Sequence, residues 1–446
     1  MPGVKLTGVV NGTDNQLLFC SEGYRFTFMT NSIPAFGEII HLHTEDGIVY
    51  TTTHDGRKMA IFTGSRYLNL SPTCNMQIGL YVISQRRDQD SDVKTFRTIS
   101  FIGGALKQLH QTWAIKNEKA DEIFVRLEQR REKTTFSFST DDFSCDVSIG
   151  FSESWHSDKS SYNLNNDLTL SLAFDRDQAI STLPLHYRQV SRLVSFLTGQ
   201  TENHIDTILL TPSLDSPEWS RKALSVHSWE NDEAELKNKT SIPIGLVGEG
   251  ISALLGLFYN SREKQPSYSL GFIPKKNEER FFVTADRVRS VCSALECEAS
   301  FDDYADLPER KEAITELCKN AKKLVKHHKK QYAKMGIVSQ RTYDSICGSI
   351  NFWSASAFDR FSYLYKKYEE MLKNIPILWD YSFSDEDISA LIKYRNSITH
   401  GRFGIISDQV ARATLVMEHL VYCCLLHRVG VPDRNIEEIC KHYLGR

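Results

Sequence analysis

Nine residues near the carboxyl terminus, KYRNSITHG at 393–401, carry three side chains suited to moving a proton beside an anion. Arg395 stays charged and matches the oxygens of a phosphate or carboxylate with paired N–H groups. His400 carries an imidazole, a side chain that can act as base or acid. Asn396 supplies an amide able to orient the imidazole or to hydrogen-bond an oxyanion.

The surrounding residues place all three on one helix. Ser384 followed by Asp387 reads as a capping box, and Asp385, Glu386 and Asp387 put negative charge in the first turn, where the helix dipole favours it. Gly401 suits the left-handed position after the last turn, so the sequence predicts a helix over about 385–400. At roughly 100° per residue, Ile388, Leu391, Ile392 and Ile398 form one apolar stripe with Arg395 at its centre. Asn396 and His400, four apart, share the adjacent face. A guanidinium on an apolar stripe is costly unless an acid, a phosphate or a subunit interface meets it. A plain helix end accounts for the same pattern: His400 favours the negative end of the dipole, Asn396 is solvated and Arg395 bridges to another helix.

The spacing Arg-Asn-x-x-x-His at 395–400 resembles the Arg-x(4 to 6)-His signature of HEPN domains, small helical bundles many of which are metal-independent ribonucleases. SVCSALECEA at 290–299 resembles the first HEPN helix, residues 384–400 the helix that leads to the histidine, and 407–429 the final packing helix. With a β-rich front and GEGISALLGLFY at 248–259, nearly the whole chain is similar in layout to the ApeA-like proteins of bacterial abortive phage infection. Only the Arg-Asn-x-x-x-His element and its helical setting are specific to that resemblance.

The resemblance implies an endoribonuclease that needs no metal and no cofactor. His400 would move protons, Arg395 would stabilise charge on the phosphorane, Asn396 would orient, and a 2',3'-cyclic phosphate would result. One helix supplies one histidine, so the resemblance also implies a homodimer, or a higher even oligomer, in which two motifs face each other. Glu296 would steady the site by pairing with Arg395; a solvated surface glutamate is the alternative. The RNA would be single-stranded or looped, transfer or messenger, and a phage-derived trigger would release the activity.

Independently of any family, seven lysines and no acid occur between Lys319 and Lys334. Lys319, Lys322, Lys323, Lys326, Lys329, Lys330 and Lys334 occupy one sector of roughly 140° on a helix over 309–334. An all-lysine face suits a polyanion held by its backbone phosphates; a merely soluble surface is the other reading. His327 would join this track. Leu317, Leu324, Val325, Tyr332 and Met335 are expected to cover the opposite, core side, with His328 leaning towards it.

The rest of the chain sets the scaffold. With 446 residues, two or three domains are expected, and 41% hydrophobic with 24% charged residues is ordinary globular composition. Short alternating runs such as RFTFM, GIVYTTT, EIFVRL, TTFSFST and DLTLSLAF predict an antiparallel sandwich or barrel over residues 1–212, closed by the helix HYRQVSRLVSFLTG and the strand IDTILLT. Residues 213–248 read as a polar connection, and 249–446 as a helical domain with helices near 249–260, 284–298, 309–334, 339–373, 384–400, 407–429 and 433–443. The fold class is therefore α+β, with the front domain as sensor or restraint.

Ten cysteines without paired CxxC motifs predict buried, reduced thiols. The first residues lack a basic stretch followed by an apolar run, and LVYCCLL at 420–426 is short for a bilayer, so a soluble, cytoplasmic protein without membrane contact is expected. His41, His43, His54 and Asp55 read as ordinary strand and turn residues, because no further ligand has convincing spacing. GEGISA lacks the following acid and the βαβ context of a dinucleotide site. Two non-enzymatic readings stand beside the nuclease: an RNA- or partner-binding HEPN dimerisation module, and a binding sandwich whose helical tail only oligomerises.

Overall fold

The computed structural model describes residues 5–13, 17–30, 40–64, 67–70, 73–85, 93–109, 133–158, 161–199, 203–211, 224–229, 241–260, 282–301, 308–332, 339–350, 356–375, 378–401 and 404–442. The fold class is α+β, in two compact units. The first runs through Asn260, and the second holds everything described from Phe282 onward.

The first unit is built on β1 (Lys5–Val10), β2 (Leu17–Glu22), β3 (Arg25–Thr30), β4 (Ile40–His43), β5 (Ile48–Thr53), β6 (Lys58–Phe62), β7 (Tyr67–Leu70), β8 (Thr73–Gln77), β9 (Leu80–Ser84), β10 (Thr95–Ile102), β11 (Thr134–Ser139), β12 (Ser144–Asp158), β13 (Ser161–Ala179), β14 (Thr207–Thr211) and β15 (Leu224–Ser228). Thirteen of these form one antiparallel sheet in the order β11-β12-β13-β10-β14-β15-β9-β6-β5-β1-β2-β3-β8, and β4 pairs with β7 in a separate ribbon. Among the described residues the main sheet is thus open, with β11 and β8 at its ends, in place of the sandwich or barrel expected from the sequence. Alternation drives it: in β3 the side chains of Phe26 and Phe28 turn inward while Thr27 between them is half-buried. Phe19, Met59, Ile61 and Leu70 share that core, each burial contributing about 1.5–3 kcal/mol.

Among the described residues this unit also holds three α-helices: α1 (Leu183–Thr198), α2 (Ile244–Val247) and α3 (Gly250–Asn260). On α1, His186 is enclosed by the rings of Phe96, Phe143, Phe174 and Tyr259. Its Nδ1 lies 2.8 Å from the Tyr259 hydroxyl and its Nε2 3.1 Å from Thr182 Oγ1. The Thr182 hydroxyl donates to the Ala179 carbonyl at 2.7 Å, which leaves its oxygen to accept from Nε2–H, so Tyr259 donates to Nδ1. Burial pushes the imidazole down to about 4.

Two sequence-based boundaries move. The connection 213–248 contains β15, which sits between β14 and β9 inside the sheet, because Leu224, Val226 and Ser228 alternate inward. The helix expected to open the helical domain, α3, packs on β11 and α1 and buries Ile251, Leu254, Leu255 and Phe258, so the helical unit starts later than residue 249. The strand expected at EIFVRL, 122–127, lies outside the described residues.

The second unit comprises α4 (Ala285–Ala299), α5 (Pro308–Tyr332), α6 (Gln340–Ile350), α7 (Ala357–Leu372), α8 (Asp385–Thr399), α9 (Asp408–Arg428) and α10 (Asp433–His442). The helix expected over 339–373 is two helices. Ser356 caps a fresh start: its hydroxyl accepts from Asp359 N at 3.1 Å, and its own N–H donates to the Asp359 carboxylate at 3.2 Å.

At the centre, α9 touches α4, α7, α8 and α10. By length and composition it could cross a bilayer, yet 67% of its most apolar stretch is buried by its neighbours, as in the core helix of a bundle. Two ion pairs set its direction against α4: Arg287 with Glu418, and Glu298 with Arg428. Partners eleven residues apart on one helix meet partners ten apart on the other in the same order, so α4 and α9 run parallel. The first turns of α8 and α9 are joined through Asp387, whose Oδ1 accepts from Gln409 at 2.9 Å, so α8 points the same way.

Candidate functional site

The candidate site forms where the last turns of α4 and α8 meet. Ser384 and Asp387 start α8: the Ser384 N–H donates to Asp387 Oδ2 at 2.8 Å, and the Ser384 hydroxyl accepts from Glu386 N at 3.3 Å. Burial works to raise the Asp387 carboxyl, but hydrogen bonds from Tyr381, Gln409 and Ser384 outweigh it and hold the group below the usual range. Ile388, Leu391 and Ile398 are buried, which fixes the rotation of the helix and puts Arg395 at the margin of the core with 25% of its side chain exposed.

There Arg395 Nη2 meets Glu296 Oε1 of α4 at 2.5 Å, the contact suggested by the sequence. Its Nη1 donates to Asn396 Oδ1 at 3.2 Å. Asn396 therefore orients the guanidinium and not the imidazole: its amide oxygen accepts from the adjacent Arg395. Beneath the pair lies Cys292, whose thiol is pushed up to about 12 by burial and by the Glu296 charge, against the pull of Arg395. Such a thiol is protonated and inert at neutral pH.

His400 caps α8, its backbone N–H reaching Asn396 O and Ser397 O at 3.1 Å. Its side chain is exposed, and among the described residues no group hydrogen-bonds to the ring. Gly401 then takes φ 74°, which turns the chain back, and Tyr394 donates to Gly404 O at 3.0 Å, holding the returning segment against α8. Arg395, Asn396 and Glu296 are thus brought into one hydrogen-bonded set, with His400 one turn further along and open to solvent.

A second pair on α4 went unnoticed in the sequence. Glu298 accepts two hydrogen bonds from Arg428 of α9, at 2.8 and 3.1 Å, and the guanidinium stacks over Phe301 with its carbon 4.2 Å from the ring centre. The only linear signal for it is a glutamate repeated two positions after Glu296, which directs it to a different neighbour.

The lysine helix α5 packs on α6. Lys319, Lys323, Lys326 and Lys330 are exposed, whereas Lys322 and Lys329 are half-buried and Lys329 is spent on Asp344 at 3.0 Å. Lys334 and Met335 lie outside the described residues. The apolar side differs from expectation: Leu317 and Leu324 are 56% and 66% exposed, and His328 is exposed. The row turned inward is Ile314, Cys318, Ala321 and Val325, each half-buried, because Cys318 donates to Ile350 O at 3.4 Å and so turns that side of α5 to α6. Among the described residues no cluster of three metal-ligating side chains forms.

No family model matches this chain, and neither do any curated proteins or solved structures.

Proposed function

We propose that the chain is a metal-independent HEPN-type endoribonuclease of anti-phage defence, similar to the ApeA-like proteins. The observation that supports this reading is a guanidinium fixed by two side chains one turn before a solvent-open imidazole on the same helix. In the reaction, His400 of one subunit removes the proton from a ribose 2'-hydroxyl, and the oxygen attacks phosphorus. Charge on the phosphorane falls on Arg395, oriented by Asn396. The leaving 5'-oxygen takes a proton from the second subunit's imidazole, and a cyclic phosphate remains. Exposed lysines of α5 hold the RNA backbone without reading sequence.

A second reading, a non-catalytic RNA- or partner-binding module, is favoured by one fact: Arg395 is already neutralised by Glu296. Incubation with transfer and messenger RNA in excess EDTA separates the two. Cleavage that falls about 100- to 10,000-fold in His400→Ala supports the nuclease. RNA retention without cutting supports the module, and a metal requirement or an unaffected variant defeats the mechanism.

A further inference from the structure

We infer that Glu296 occupies the position a substrate phosphate must take on Arg395, and so holds the site in a resting state; this rests on the nuclease reading above. A carboxylate oxygen 2.5 Å from Nη2 has the placement a phosphodiester oxygen would adopt on the same donor. With Nη1 turned to Asn396, both terminal nitrogens of the guanidinium are engaged.

The charge balance leads to the same conclusion. Arg395 and Glu296 sum to zero, and the nearby C-terminal carbonyls of α4 and α8 add partial negative charge. Arg428 offers no surplus, since Glu298 takes two of its hydrogen bonds. As it stands, the pair offers an anion no net positive charge; Arg395 does so once Glu296 swings away from it.

The two carboxylates of α4 differ in how firmly they hold. Glu298 is 2% exposed, bidentate and covered where Phe301 stacks on its arginine. Glu296 makes one contact and is 35% exposed. On one helix, two residues apart, the first pair is built to stay and the second to exchange.

The test is binding of a 2'-O-methyl RNA oligonucleotide, which lacks the attacking hydroxyl, followed by fluorescence anisotropy at fixed salt. Glu296→Gln keeps the shape and removes the charge. It should bind about fivefold tighter than the native protein, the upper range for a partly exposed pair, and the gain should vanish when Arg395→Gln is added. Glu298→Gln should leave affinity unchanged. Equal or weaker binding by Glu296→Gln, or a gain that survives loss of Arg395, overturns the inference. Cleavage of ordinary RNA by the native protein and by Glu296→Gln is measured in parallel. Cleavage without an affinity gain sinks the restraint alone; a gain without cleavage sinks the nuclease reading and keeps the restraint; no binding by either protein sinks both.

Discussion

Replacing His186 with glutamine should flatten the acid dependence of the first unit. The imidazole ionises near 6.5 in an unfolded chain and about 4 inside its aromatic cage. Because the folded value lies below the unfolded one, the unfolded chain takes up the proton first. Stability is therefore unaffected above about pH 6.5 and falls as pH drops towards 4. The full difference is about 3 kcal/mol, and about 2 kcal/mol of it is lost by pH 5. Carboxylates elsewhere act in the same direction, so the informative quantity is the difference between native and variant proteins. Glutamine does not titrate, yet it can accept from Tyr259 and donate to Thr182, which preserves the bonds at 2.8 and 3.1 Å. Urea unfolding followed by near-ultraviolet circular dichroism at pH 7 and pH 5 measures it. With a slope of about 3 kcal/mol per molar urea, the native midpoint should drop about 0.7 M further than the variant's. Midpoint shifts equal within about 0.2 M would refute the buried neutral imidazole.

Asp387→Ala should destabilise the helical unit by about 2–3 kcal/mol, since it removes a cap and strands the Tyr381 hydroxyl and the Gln409 amide. Thermal unfolding followed by helical circular dichroism checks this, and a loss below about 0.5 kcal/mol would contradict the hub role. The same carboxyl, held below its usual range, contributes stability at neutral pH that is lost as pH falls through its folded value; the Asp387→Ala protein should lack that part of the acid transition. Charge reversal at Lys326 and Lys330 should weaken RNA binding and reduce its salt slope by about 1 to 2; an unchanged slope removes α5 from the interface.

Much of the candidate site was legible because caps and periodicity are local. Ser384, Asp387 and Gly401 marked the ends of α8 from side chains only a few residues apart, and the 3.6-residue repeat put Arg395 on the apolar stripe, although at its centre; the structure moves it to the margin, because the buried sector runs through Asp387, Ile388, Leu391 and Ile398 while Ile392 is only half-buried. The same reasoning misplaced the apolar side of α5, because Leu317 and Leu324 share one side of the wheel with residues that turn towards α6, and hydrophobicity does not say which part of a broad face finds a partner. It likewise joined α6 and α7 into one helix, although Ser356 and Asp359 formed a readable start signal.

The amino-acid order settles element types, most boundaries and the α+β division, since those follow from steric preferences and side-chain spacing within a few turns. Partners came only with the folded chain. A short connection usually joins antiparallel helices, yet here α4, α8 and α9 share one direction, with Gly404 held to α8 by Tyr394. That parallel arrangement brings Glu296 to Arg395 across 99 residues of sequence, while contacts with β11 and α1 place α3, and pairing with β14 and β9 places β15, in the first unit. Burying apolar faces from distant segments selects among many locally equivalent arrangements, and no short window of residues encodes that choice.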